Sequence, residues 1–183
     1  MGAAEVTLVT YHYVRPLAGS RFPQLKALDL AAFESQLDYL SAHYRFVGTE
    51  EVMAAFRGEG ELPPKGVLLT FDDGYADHFR YVLPRLLDRG ISGAFFVTAT
   101  AALDRQLMDV NRIQFTLAST GDIAALVAEL EAGIEAARSE FALKTLDQYR
   151  AELMRPNRFD GPEVAYVKRL LQAELPAALR ERL

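Results

Sequence analysis

The clearest pattern of apolar and polar positions lies in residues 67–71, where four of five residues are apolar and two acids and Gly74 follow. A short apolar run with these boundaries predicts a β-strand buried on both faces, as in a parallel sheet. The next stretch changes to helical spacing, with apolar side chains at Tyr75, Phe79, Val82, Leu83, Leu86 and Leu87. A buried strand that leads into a helix is half of a βαβ unit, and such folds bind ligands at the carboxyl ends of their strands.

The flanking patterns predict further strands at residues 6–13 and 94–98, and a very short one at 46–47. Helices are predicted after caps at Asp29 and Thr49, and Pro84 is expected to kink the helix that follows the central strand. After residue 100 every periodic segment is helical. The predicted starts there are Asp109, Asp122, a helix over about 141–154, a capping box at 160–163 and Pro176. The predicted fold is α/β, with about three to four parallel strands and an all-helical C-terminal region.

Two adjacent acids, Asp72 and Asp73, stand at the predicted carboxyl end of the central strand. Neighbouring carboxylates repel each other, and a divalent cation offsets that repulsion. One carboxylate can then bind the metal while the other takes a proton from a water molecule. The competing interpretation is that Asp-Gly only supplies a turn between two elements. His12 ends the first predicted strand, and it would lie level with the acids if the two strands are parallel neighbours.

Composition narrows the class of protein. At 183 residues with half of them apolar, the chain is expected to form one domain, and its net charge of -5 argues against nucleic acid as a partner. The absence of cysteine excludes disulfides and thiolate metal sites. No run approaches the ~20 apolar residues of a membrane span, and no signal peptide is visible. A cytoplasmic protein is therefore expected.

The central stretch resembles a known family. Residues 69–75 read Leu-Thr-Phe-Asp-Asp-Gly-Tyr, and Leu83-Pro84 and a Gly-Ala-Phe-Phe-Val run at 93–97 follow. This series resembles the first motif region of polysaccharide deacetylases with a NodB-homology domain. Residues 11–14 read Tyr-His-Tyr-Val and resemble the N-terminal Tyr-His-x-Val of permuted members. The resemblance covers roughly residues 6–98.

The resemblance implies a fold, a reaction and roles for three residues. It implies a distorted (β/α) barrel in which a divalent metal, with zinc expected, removes N- or O-acetyl groups from a carbohydrate polymer. Asp72 matches the catalytic base, Asp73 the metal ligand and His12 the general acid. Residues 5–100 would form the deacetylase-like core. Residues 101–183 would be a helical insertion or extension, as in members linked to cell-surface polysaccharide or O-antigen (lipopolysaccharide) synthesis.

The sequence also departs from the family pattern. The second motif, His-Ser/Thr-x-x-His-Pro, supplies two metal-binding imidazoles and is absent, since the only histidines are His12, His43 and His78. Asn111 and Gln114 have a suggestive spacing, but neutral amides are poor zinc ligands. Three or four strands also cannot close a barrel. The sequence therefore predicts the N-terminal part of a deacetylase that is incomplete in this chain.

Two alternatives stay open at this stage. A non-catalytic domain that has lost the metal site would bind a glycan or a protein through the same cleft. A phosphatase of the haloacid dehalogenase type is disfavoured because that family separates its two acids by one residue. Open sheet edges also make a homo-oligomer an expectation to test. The sequence does not specify the polymer, the acetyl position or the metal.

Overall fold

The computed structural model describes residues 5–183 and divides into two compact units, one ending at Gln106 and one spanning Leu107–Leu183. The strands of the first unit are β1 Val6–Tyr11, β2 Val14–Arg15, β3 Leu28–Asp29, β4 Arg45–Phe46, β5 Gly66–Phe71 and β6 Gly93–Phe95. Its helices are α1 Leu30–His43, α2 Thr49–Phe56, a π-helical segment His78–Val82, α3 Leu83–Asp88 and α4 Ala99–Leu103. The second unit contains α5 Asp109–Ser119, α6 Ile123–Ala136, α7 Leu146–Leu153, α8 Pro162–Arg169, a π-helical segment Leu170–Glu174 and α9 Ala177–Arg180.

The main sheet is built around β5, which pairs with three other strands, all of them parallel to it. β1 lies along one side of β5, and β4 and β6 pair with the two ends of its other side. All six residues of β5 are buried, as its continuous apolar run predicts. The structure confirms the predicted α/β fold, and an open four-stranded parallel sheet fits a partial barrel because a closed one needs about eight strands.

Aromatic rings form the centre of the first unit's core. Phe71 stacks between Tyr11 and Phe95, with ring centroids 5.2 and 4.8 Å away, and Phe33 of α1 packs edge-on against Phe71 and Tyr11. Tyr11, Phe71 and Phe95 are aligned in register on adjacent strands, so one row of side chains joins β1, β5 and β6. This row lies directly before the carboxyl ends of the strands.

The burial of Tyr11 predicts an alkaline loss of stability. Desolvation raises the pKa of its phenol from 10.0 to about 12. Between these values the unfolded chain loses the proton while the folded protein keeps it, so we expect the free energy of unfolding to fall as the pH rises from 10 towards 12. Urea denaturation as a function of pH measures this fall. It should be smaller in Tyr11→Phe, and an identical fall in that variant would assign the effect to other groups.

The helix starts match the predicted caps in part. Asp29 and Asp122 accept hydrogen bonds from backbone N–H groups at the starts of α1 and α6, as predicted. The helix predicted to be capped by Thr49 instead has Gly48 as its N-cap, because Gly48 has extended backbone and Thr49 is already helical. The Gly48 N–H donates to the Glu51 carboxylate at 2.7 Å. Asp109 is likewise not a cap but the first residue of α5.

The prediction that residues 94–98 form a buried strand is wrong. The strand is Gly93–Phe95, and the side chains that follow are exposed, with Phe96 at 57% and Val97 at 59%. β6 pairs with β5 along one edge, and the structure, over the residues it describes, pairs nothing with the other edge. The apolar pattern is that of a buried strand, but no residue of β6 is buried and Phe95 itself is 39% exposed.

The second unit is a helical cluster that contains two buried acids. Glu131 is 6% exposed, and it accepts hydrogen bonds from Arg150 and from the Tyr166 hydroxyl. Asp160, predicted to open a capping box, instead accepts hydrogen bonds from Lys168 Nζ on both carboxylate oxygens, at 2.9 and 3.0 Å, and a longer one from Asn157 Nδ2 at 3.4 Å. Gly161 is the N-cap of α8. Each ion pair compensates the cost of desolvating a carboxylate.

No helix among residues 5–183 is long and apolar enough to cross a membrane.

Candidate active site

Parallel pairing brings His12 beside Asp72. Tyr11 and Phe71 are register partners, so the next residue of each strand emerges at the same edge of the sheet. The Asp72 N–H donates to the Tyr11 carbonyl at 2.9 Å, which extends the ladder by one bond. His12 Nε2 then lies 3.8 Å from Asp72 Oδ2, with 58% and 35% of the two side chains exposed. A carboxylate and an imidazole are therefore close together and accessible to solvent.

The other side of Asp72 is apolar. The Phe96 N–H donates to the Phe71 carbonyl at 2.8 Å, so Phe96 follows β6 just as Asp72 follows β5. His12 and Phe96 consequently flank Asp72 on opposite sides at the carboxyl edge. This edge presents a carboxylate, an imidazole and an exposed aromatic ring in a row.

The turn after Asp72 depends on two residues with left-handed backbone. Asp73 has φ 72° and Gly74 has φ 66°. Aspartate tolerates this region better than most residues, and glycine adopts it without cost. A Cβ on Gly74 would also approach Val97 Cγ1 to 2.8 Å. Only glycine therefore fits at position 74, as the Asp-Gly pattern suggests.

Asp73 is held by a tyrosine that the sequence analysis did not single out. The Tyr75 hydroxyl donates to Asp73 Oδ2 at 2.6 Å, and the Tyr75 ring stacks on Tyr13 with centroids 4.0 Å apart. The carboxylate is thus oriented by a ring that is itself packed. Tyr75 lies in the family-like motif, so its position in the sequence was a signal, but its contact with Asp73 depends on the turn.

The described residues do not by themselves fit a zinc ion. Over residues 5–183, no three His, Cys, Asp or Glu side chains are grouped so that they could hold a metal. Catalytic zinc takes three protein ligands, and one oxygen of Asp73 is already engaged by Tyr75. Asp73 can therefore supply at most one ligand of such a site.

His78 does not reach towards the acids. It is 3% exposed, and its Nε2 lies 2.7 Å from the backbone carbonyl of His12. It lies in the π-helical segment, where the Leu83 N–H donates to the His78 carbonyl five residues back. Pro84 has no N–H for the helical ladder, which accounts for the widened turn and for the irregularity predicted there.

Asp77 forms a second link to this part of the chain, through Arg15 at the end of β2. Its carboxylate lies 3.3 Å from Arg15 Nε, and 10% of its side chain is exposed. Burial raises the pKa of the Asp77 carboxyl, and the nearby charge of Arg15 partly opposes that rise. The sequence analysis missed both Asp77 and Arg15, because nothing in the spacing indicates that residues 15 and 77 meet.

Comparison with known proteins gives one family match. A family model described as polysaccharide deacetylase matches residues 59–147, a span that contains Asp72 and Asp73. A search of curated proteins gives no match.

Three solved structures are similar to this chain. A de-N-acetylase from Aggregatibacter actinomycetemcomitans is 28% identical, with a TM-score of 0.47, over 56% of this chain and 42% of that one. IcaB from Ammonifex degensii is 37% identical, with a TM-score of 0.43, over 54% of this chain and 42% of that one. The Streptococcus pyogenes deacetylase PplD is 15% identical, with a TM-score of 0.47, over 90% of this chain and 80% of that one. The chain thus spans less than half the length of the first two.

Proposed function

We propose that this chain, which carries a NodB-type polysaccharide deacetylase domain, contributes the acid–base groups that remove acetyl groups from a carbohydrate polymer or its precursor. The observation that carries the proposal is the His12–Asp72 pair, 3.8 Å apart at the carboxyl edge of a parallel sheet. Active sites of β/α folds lie at this edge. The general base is Asp72, the general acid is His12, and Asp73 offers one oxygen to a divalent metal.

The proposed hydrolysis uses the pair as follows. A water molecule adds to the acetyl carbonyl carbon, and Asp72 takes one of its protons. The bond from the acetyl carbon to the sugar nitrogen or oxygen then breaks, and His12 donates a proton to the departing amine or alcohol. The products are acetic acid and the free sugar group. His12 Nε2 and Asp72 Oδ2 are 3.8 Å apart, which is beyond hydrogen-bond length, so the abstracted proton returns to His12 through one bridging water before the next turnover.

The finer assignments extend this proposal. The substrate is proposed to be an acetylated cell-surface polysaccharide or a lipopolysaccharide precursor, and the protein is proposed to act in the cytoplasm. The exposure of His12 and Asp72 is consistent with a polymeric substrate, because a chain of sugars needs an open cleft. Among residues 5–183 no strand pairs with the outer edges of β1 and β6, which supports testing for self-association.

The metal contribution of Asp73 leads to a prediction about zinc. Because Asp73 supplies one ligand and zinc normally takes three or four, we expect this chain to stay unsaturated at micromolar free zinc. Isothermal titration with zinc, followed by elemental analysis after dialysis, measures the affinity. Asp73→Ala should abolish the weak zinc binding, whereas the control variant Asp88→Ala, at an exposed acid, should leave it unchanged.

Near-stoichiometric zinc that is lost in Asp73→Ala would contradict this prediction. It would mean that further ligands approach Asp73 in solution and complete the site.

The proposed function is tested by acetate release from acetylated glucosamine oligomers with excess divalent metal present. Release above the level of a metal-only blank supports the deacetylase proposal.

A second candidate, a non-catalytic glycan-binding domain, is favoured by the lack of three grouped metal-binding side chains among residues 5–183. It predicts oligomer binding without acetate release, with an affinity that Asp72→Asn leaves unchanged.

A further inference from the structure

The residue that fixes His12 in place is neither Asp72 nor Asp73. His12 follows the last residue of β1, and its own side chain is 58% exposed, so little packing holds its imidazole. Its backbone is held by the buried ring of His78, whose Nε2 lies 2.7 Å from the His12 carbonyl. A carbonyl only accepts hydrogen bonds, so Nε2 carries the proton and donates it.

The His78 ring is itself immobilised. It packs against Phe71, Tyr75 and Phe95, with centroids 5.5, 5.5 and 6.0 Å away. Phe71 is a buried core residue, the partly exposed Phe95 stacks on it, and the Tyr75 hydroxyl holds Asp73. One imidazole therefore contacts the residue before Asp72, the residue that orients Asp73 and the backbone of His12.

A second link acts on the same segment. Arg15, three residues after His12, pairs with Asp77 at 3.3 Å, and both side chains are largely buried. Asp77 and His78 are adjacent, so two neighbouring residues anchor the chain at His12, just after β1, and at Arg15, the last residue of β2. Two anchors restrict rotation of this segment as well as its translation.

From these contacts we propose that His78 is a positioning residue that holds His12 against Asp72 through its Nε2–H hydrogen bond. The importance of His78 for catalysis rests on the proposed function. The restraint that His78 places on the His12 backbone does not depend on that function. Such a residue is needed because an exposed general acid must keep its geometry without help from surrounding side chains. A displacement of about 1 Å in a reacting group can cost about 100-fold in rate.

Matched substitutions separate the hydrogen bond from the packing. His78→Gln places an amide donor near the position of Nε2, whereas His78→Asn places it near Nδ1 and cannot reach the His12 carbonyl. Both variants lose the ring equally, so any difference between them reports on the donor alone. His78→Phe keeps the ring and removes the donor, and urea denaturation of all three variants checks that they fold.

The first measurement needs no substrate. Backbone ¹⁵N relaxation should give rigid amides at His12 and Tyr13 in the wild type and in His78→Gln, with order parameters near 0.85. In His78→Asn and His78→Phe these values should fall towards 0.6 or below. Equal values in the Gln and Asn variants would overturn the proposal, even if His78→Phe does not fold.

The second measurement connects the restraint to acetate release. We expect kcat to fall about 10- to 100-fold in His78→Asn, with KM little changed and with most of the loss recovered in His78→Gln. If the wild type released no acetate, the proposed function would be contradicted. The relaxation data would still show whether His78 restrains the His12 backbone. Loss of order in His78→Asn without any loss of kcat in an active enzyme would overturn the positioning role.

Discussion

Asp72→Asn is expected to lower acetate release by about 100- to 10,000-fold, the range that a general base contributes. Asparagine keeps the size of the side chain but cannot accept the proton of the attacking water. The fold should be unaffected, because the strand ladder at this position uses the backbone N–H of Asp72, which donates to the Tyr11 carbonyl. The measurement is kcat on acetylated glucosamine oligomers with excess metal, with circular dichroism to confirm folding.

The matched control is Asp88→Asn, at the end of α3, which makes the same chemical change at an exposed acid of the same unit. It should leave kcat within twofold of the wild type. A similar loss in both variants would indicate a general effect of charge. Full activity in Asp72→Asn would remove Asp72 from the reaction and would shift the role of base to another group at the carboxyl edge.

Phe71→Ala is expected to destabilise the first unit by about 3–5 kcal/mol, the usual cost of removing a large buried side chain. Phe71 is completely buried, and its ring stacks on Tyr11 and Phe95. Its removal leaves a cavity at the point where β1, β5 and β6 meet, and backbone pairing prevents the strands from closing it. Urea denaturation followed by tyrosine fluorescence measures the change in the free energy of unfolding.

Phe56→Ala in α2 is the matched control for this experiment, because Phe56 is 81% exposed. A surface truncation of this kind should change the free energy of unfolding by about 0.5 kcal/mol or less. If the two variants were equally stable, the aromatic row would not be the core of the first unit. Since Phe71 precedes Asp72 directly, we also expect the activity of Phe71→Ala to fall at temperatures well below its unfolding transition.

Local sequence signals were sufficient for the elements that carry them. The apolar run of β5, the caps at Asp29 and Asp122 and the turn at Gly74 each depend on residues within a few positions of one another. Backbone propensity and burial act at that range, so these features were predictable. Predicted helix starts missed by one residue at Thr49 and Asp109, because the cap is decided by backbone geometry and not only by side-chain type.

Predictions that depended on which residues pack against a segment were less accurate. The run at residues 94–98 has the apolar pattern of a buried strand, yet Phe96 and Val97 are exposed. Whether an apolar side chain is covered depends on what packs over it, and the run itself contains no information about that. Asp160 gives a second example. The local pattern predicted that its carboxylate would cap a helix, but in the structure that carboxylate accepts hydrogen bonds from Lys168.

The sequence by itself determined the α/β class, the central strand and the presence of Asp72, Asp73 and His12 at strand ends. Only the tertiary structure decided that β1 and β5 are parallel neighbours in register, which brings His12 next to Asp72. It also decided that Tyr75 holds Asp73 and that His78 holds the backbone of His12, 66 positions away. The physical reason is that strand composition reports burial, whereas strand order and register depend on contacts between residues far apart in the chain.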